Sequence, residues 1–145
     1  MPMSQFIVRK SIRMKATPDK VWDALTNPKK TKKYFFNCEV HSDWKVGNPI
    51  TFKGKMFLII NIEMTGHILQ IIPEKLLQYN LKNRGSNRSS ISTVTEELSY
   101  ANNETVLAIS DDVGDGADAE KRYRKSIKGW NKVLRGLKKL VETEI

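Results

Sequence analysis

The amino-acid sequence predicts an α+β fold: an antiparallel sheet of six to seven strands packed on one long C-terminal helix, with two short helices after the first strand. Three observations carry this. Apolar and polar residues alternate with a period of two in short runs between Phe6 and Ser110, mostly separated by hairpin-length turns. The helical period appears strongly only near the end, where Tyr123, Ile127, Trp130, Leu134, Leu137 and Val141 step by four and three. The strands run together and the long helix follows them, an order that selects an antiparallel sheet over repeated βαβ units.

The first strand is Phe6 to Ala16, with Phe6, Val8, Ile12 and Met14 on one face. Thr17-Pro18-Asp19 then opens a helix: an N-cap residue, a proline suited to the first turn, and an acid at the positive end of the dipole. Val21, Trp22, Ala24 and Leu25 form its buried side, and Asn27-Pro28 stops it. A second short helix runs from Pro28 to about Phe35, with Lys29, Lys30, Lys32 and Lys33 as a solvated face. Strands follow from Cys38 to Trp44 and from Ile50 to Phe52, joined by the turn Gly47-Asn48-Pro49, and Gly54-Lys55 breaks the pattern. The apolar run Met56 to Ile62 is either a buried strand or a loop over a cavity mouth, two cases that periodicity cannot separate. Gly66–Ile72, Lys75–Lys82, Ser90–Tyr100 and Thr105–Ser110 read as further strands, with a polar turn at Arg84–Arg88 and an acidic loop at Asp111–Gly116. The last helix is expected from Asp115 to Glu142. Gly129 and Gly136 inside it would each cost about 1 kcal/mol relative to alanine, which fits either a close approach or two tolerated surface glycines.

The 145 residues suit one domain, 1–145, with a core that needs no disulfide or metal. A hydrophobic fraction of 39% and a charged fraction of 28% place the chain among globular proteins. The single Cys38 fits a reducing compartment, and the N-terminus lacks the apolar stretch of a signal peptide; a cytoplasmic location is expected. No apolar run approaches the ~20 residues of a membrane-spanning helix. The net charge of +9 is carried by the two ends of the chain, while residues 34–114 are slightly acidic. Without aromatic–basic interleaving or a nucleic-acid motif, that charge reads as a solubilising surface, and no nucleic-acid partner is expected.

Sites for chemistry are few. His41 and His67 lack partners at metal-ligand spacing, and no phosphate-cradling, dinucleotide or nucleophile-elbow motif is present. Asp111, Asp112, Asp115 and Asp118 lack calcium-loop spacing. Cys38 has no base beside it in sequence and suits a small strand residue. Neither a catalytic residue nor a metal or other cofactor is expected. What stands out is a set of aromatic and thioether side chains on inward faces: Trp44, Phe52, Phe57, Met64, Tyr79, Tyr123 and Trp130. Val94, Ile109 and Ile127 share those faces. A curved sheet closing on one long helix can leave an apolar cavity, which such residues would line. Trp130 at a cavity wall would cost about 1–3 kcal/mol on truncation to alanine, against roughly 3–5 kcal/mol in a solid core.

Local strings extend this reading. Ile12 to Pro28 (IRMKATPDKVWDALTNP), Lys33-Tyr34-Phe35, Asp43-Trp44-Lys45-Val46-Gly47, Gly66-His67-Ile68 through Tyr79, Val94 to Leu98, Thr105 to Ile109, and Gly129-Trp130 with Leu134 and Leu137 occur in one order. In that order the chain resembles the START-like helix-grip (SRPBCC) superfamily, and within it the family named for the activator of the heat-shock-protein-90 ATPase. The resemblance implies a sheet curved around the C-terminal helix with an apolar cavity between them. It implies non-enzymatic binding of a small hydrophobic or amphipathic molecule (lipid-, sterol- or polyketide-like), by a monomer or weak homodimer. The alternatives it carries are a chaperone-associated stress protein and a polyketide cyclase or dehydratase. The last needs a placed acid–base pair, and the inward residues Tyr79, Tyr123 and Glu96 supply none. Two departures from the family pattern are Asn48, where a second glycine is common, and the apolar stretch Met56 to Ile62.

Overall fold

The computed structural model describes residues 6–56, 59–82 and 91–143. Its elements in order are β1 (Ile7–Met14), α1 (Pro18–Thr26), α2 (Pro28–Tyr34), β2 (Cys38–Ser42), β3 (Pro49–Met56), β4 (Ile60–Ile72), β5 (Leu76–Lys82), β6 (Ile91–Ala101), β7 (Glu104–Asp112) and α3 (Ala119–Thr143). The seven strands form one antiparallel sheet in the order β1-β7-β6-β5-β4-β3-β2. From β2 to β7 each strand pairs with the next along the chain. β1 closes the far edge by pairing with β7, Ile7 opposite Asp112 and Met14 opposite Thr105. One face of the sheet, carrying Val8, Val40, Phe52, Ile68, Tyr79, Val94 and Ile109, is buried with Trp130, Val133, Leu134, Leu137 and Val141 of α3. This is the helix-grip arrangement.

The short helices follow from their caps. Thr17 stands at the N-cap of α1 in extended backbone, with Pro18 in the first turn, although its side chain makes no capping bond. Asn27 serves twice: its N–H closes α1 on the Asp23 carbonyl, and its Oδ1 accepts from the Lys29 N–H (3.0 Å) to start α2. Tyr34 fastens the two helices together, its hydroxyl donating to the Ala24 carbonyl at 2.8 Å.

Several elements differ from the sequence expectation. β3 continues through Gly54, which pairs with Cys38 on one side and Ile62 on the other; the missing side chain lets the Asn37 backbone pass close by. β4 begins at Ile60, six residues before Gly66, because Ile60 to Glu63 pair with Lys53 to Met56. Of the stretch expected as one apolar run, Met56 ends β3 and Ile60 begins β4: Ile59 and Ile60 are exposed and Ile62 is half-buried against the core. Phe57, Ser90 and the Arg84–Arg88 turn lie outside the described residues. Asp111, expected in a loop, is the penultimate residue of β7, opposite Val94 of β6 and Val8 of β1.

The long helix starts at Ala119 rather than Asp115. Gly114 (φ 79°) and Gly116 (φ 118°) hold the preceding chain left-handed, and Arg122 gathers the loop by donating to the carbonyls of Val113 and Asp115. At its other end the Lys138 ammonium reaches the Arg13 carbonyl and the Glu142 carboxylate accepts the Lys15 N–H, each at 2.8 Å. The two helix glycines are explained by α2 and the chain after it. A Cβ on Gly136 would stand 2.9 Å from Tyr34 Cβ, and one on Gly129 would stand 3.3 Å from the tip of Phe36. Close approach accounts for Gly136, whereas Gly129 faces only the end of the Phe36 ring. Among the described residues no helix is long and apolar enough to cross a membrane, and no His, Cys, Asp and Glu cluster could hold a metal.

Candidate functional site

The site lies between the concave face of the sheet and the middle of α3. Phe52 of β3, Tyr79 of β5, Glu96 of β6 and Leu107 of β7 form its floor, and Trp130, Val133, Leu134 and Leu137 its roof. Leu25, Thr31, Tyr34 and Phe35 close the side facing α1 and α2. The space left inside is about 10 Å³, measured as room for the centre of a water molecule, which one water fills. A ligand pocket of ordinary size runs to roughly 300–1,000 Å³. The expected cavity is thus closed in this conformation. A wider hollow of about 520 Å³, lined by Lys15 to Thr17, Lys20, Tyr100 and Asn102 to Glu104, is an open surface depression remote from this space.

Phe35 does the closing. It follows the last turn of α2, and its ring stacks on Phe52 with centroids 4.8 Å apart and planes at 27°. The same ring stands edge-on to Trp130 at 6.1 Å and to Phe36 at 5.5 Å. Phe52 in turn leans on Tyr79 at 5.7 Å. The backbone after Phe35 holds two successive left-handed residues, Phe36 (φ 50°) and Asn37 (φ 59°). Asparagine tolerates that region; for a bulky phenylalanine it is a strained position.

Two buried carboxyl groups face the interior from neighbouring strands. Glu96 is 6% exposed and has no hydrogen-bond partner among the described residues. Burial pushes its pKa from 4.5 up to about 8, so the group is mainly neutral at neutral pH. Asp111 is bound: its Oδ2 accepts from Ser126 Oγ at 2.6 Å and from Trp130 Nε1 at 2.9 Å, while its Oδ1 is buried without a partner. Burial raises the Asp111 pKa, and the two hydrogen bonds oppose the rise. The phenols of Tyr34 and Tyr79 are pushed well above the usual tyrosine range, by burial first and by the Glu96 charge second.

Of the ten residues expected at a cavity, Phe52, Tyr79 and Trp130 meet at this space. Val94 and Ile109 are buried in the core and Met64 and Ile127 are half-buried against it, and none of these four lines the space. Trp44 packs on the core from the β2–β3 connection in left-handed backbone (φ 60°), and Tyr123 stacks near Phe6 at 5.8 Å. Phe57 lies outside the described residues. Trp130 lines the space while being buried and hydrogen-bonded to Asp111. Sequence reasoning missed Phe35 and Tyr34 as site residues, and Asp111 as an inward one.

The chain's relatives bear on what this arrangement serves. A family model described as Activator of Hsp90 ATPase homolog 1-like protein matches residues 15–142. No curated protein matches the chain. A solution structure from Cytophaga hutchinsonii is 31% identical, with a TM-score of 0.78 and 97% of each chain covered. The Aha1 dimer from Colwellia psychrerythraea is similar in fold at 20% identity, with a TM-score of 0.72 and coverage of 94% of this chain and 96% of that one. DynU16, a putative protein of the dynemicin biosynthetic locus, has a TM-score of 0.77 at 17% identity; 96% of this chain covers 48% of it.

Proposed function

The chain belongs to the Activator of Hsp90 ATPase homolog 1-like family, and on that premise we propose that it binds a small hydrophobic or amphipathic molecule between sheet and α3, without catalysis. The observation that carries this reading is Phe35. The interior is filled by a ring that belongs to neither the sheet nor α3. Turning that ring outward breaks no strand pairing and no helical hydrogen bond. It exposes an aromatic chamber of Phe52, Tyr79 and Trp130. A cavity of only ~150 Å³ with apolar walls holds a benzene-sized guest. The strained Phe36 is where such a movement would release energy.

A cyclase or dehydratase needs an acid and a base on one substrate. Glu96 and Asp111 lie diagonally on β6 and β7, but Asp111 is engaged by Ser126 and Trp130 and does not line the space. Binding therefore fits the geometry better. A chaperone-associated role is suggested by the family description alone, and co-purification with a chaperone of the 90-kDa class tests it.

The binding reading is tested with the neutral fluorescent probe N-phenyl-1-naphthylamine. Wild type should bind it weakly and Phe35→Ala at least tenfold more tightly. Native mass spectrometry of freshly purified wild type should show a carried mass. Two folded proteins that both ignore the probe, and no carried mass, would refute it.

A further inference from the structure

The interior polar groups of this chain are paired with some care. Thr105 Oγ1 donates to the Ala16 carbonyl at 2.6 Å, Thr31 Oγ1 accepts the Val40 N–H at 3.0 Å, and the Tyr34 hydroxyl is used by Ala24. Asp111 receives two donors on Oδ2, while its Oδ1 is buried without a partner. Against that pattern, the Glu96 carboxyl and the Tyr79 hydroxyl are left over. Both residues line the central space, both are at least nine-tenths buried, and neither polar group has a hydrogen-bond partner among the described residues.

The chemistry of the missing partner follows from what surrounds the pair. The titratable groups around Glu96 are Tyr34 from α2 and Tyr79 from β5, with Asp111 further along on β7. The residues that β3, α1 and α3 contribute carry no charge. Among the described residues no basic side chain lines the space, so an anionic guest would be buried without a counter-charge from them. A neutral carboxyl and a phenol are both O–H donors. Two unused donors facing one apolar space call for a neutral acceptor. We infer that the site takes an uncharged molecule with an apolar body and a carbonyl group, whose oxygen is received by the Glu96 carboxyl and the Tyr79 hydroxyl. The inference rests on the binding reading above, and goes beyond it by naming the ligand's polar group and the residues that select it.

The test uses a matched pair of probes: 6-propionyl-2-(dimethylamino)naphthalene, and the same skeleton with its carbonyl reduced to a methylene. Both are titrated into full-length Phe35→Ala protein at pH 7. The ketone should bind at least tenfold more tightly than its methylene counterpart. Adding Glu96→Leu should reduce the preference severalfold and Tyr79→Phe beside it should erase the rest, with a cooperative urea melt showing that each variant is folded. Glu96→Gln keeps an N–H donor and should retain most of the preference. Ketone affinity should fall above pH 8 in the protein that keeps Glu96, as that carboxyl ionises, and stay level in Glu96→Gln. An undiminished ketone preference in Glu96→Leu would overturn the inference and leave apolar binding standing. Failure of both probes to bind any folded variant would overturn the binding reading, and this inference with it.

Discussion

Replacing Glu96 by glutamine should change how stability depends on pH more than it changes stability at any one pH. Glu96 is 94% buried by its 6% exposure, and burial lifts its pKa from 4.5 to about 8. Between those values the folded chain holds a proton that the unfolded chain has released. Stability is therefore fully present below pH 4.5, falls as pH rises, and levels off above about 8. At about 1.4 kcal/mol for each tenfold change, the whole span is worth about 5 kcal/mol, a large part of the roughly 5–15 kcal/mol that holds a domain folded. Glutamine has nothing to ionise and keeps the shape. Urea melts of both proteins at pH 5, 7 and 9 give the difference in unfolding free energy. That difference should shift by several kcal/mol in favour of Glu96→Gln between pH 5 and pH 9. Asp111 and the surface groups titrate in both proteins and cancel. A difference constant to within about 1 kcal/mol would refute the claim that burial raises the Glu96 pKa.

Three further outcomes are expected. Gly129→Ala should be neutral or stabilising by up to about 1 kcal/mol, since its new methyl meets only the tip of Phe36. Gly136→Ala meets Tyr34 Cβ at 2.9 Å and should destabilise by about 1–3 kcal/mol despite the same propensity gain; equal effects in thermal melts would contradict the close approach. Trp130→Phe removes one donor from Asp111 and should cost about 1–3 kcal/mol in the wild-type background but less in Asp111→Asn, a coupling that a double-mutant cycle reads directly. Binding to anionic vesicles should be weak and vanish near physiological salt, because the basic residues are a solvated surface; salt-resistant sub-micromolar binding would contradict that.

The parts of the fold that were legible are those written in a period. Alternation marked the strands, and steps of four and three placed Trp130, Leu134 and Leu137 on the buried stripe of α3. Phe52 and Tyr79 were found at the site for the same reason. Glu96 and Asp111 were also there to be read: Glu96 shares the parity of Val94 and Leu98, and Asp111 that of Leu107 and Ile109. Glu96, between Val94 and Leu98, was read as inward; carrying the other alternation one step past Ile109 would have turned the Asp111 carboxyl inward as well. Phe35 had no such signal. It lies in a connection, and its position depends on left-handed backbone at Phe36 and Asn37, for which the only local hint is the asparagine. The reason for Gly136 was illegible in principle, because its neighbour Tyr34 is about a hundred residues away in the chain. The closed interior is likewise a product of several elements meeting, and no single stretch encodes it.

The pairing of the first strand with the last has a consequence for how the molecule is made. Ile7 needs Asp112, and Lys15 needs Glu142, so β1 has no partner until about a hundred later residues have been made. At roughly 5–20 residues per second, β1 waits on the order of 5–20 s for β7. During that time Val8, Ile12 and Met14 are exposed on a short segment flanked by Arg9, Lys10, Arg13 and Lys15. Those cations repel other copies of the same nascent segment and discourage the edge-to-edge pairing that an apolar strand invites. The cations of β1 and its flank thus guard a strand whose partner is made late.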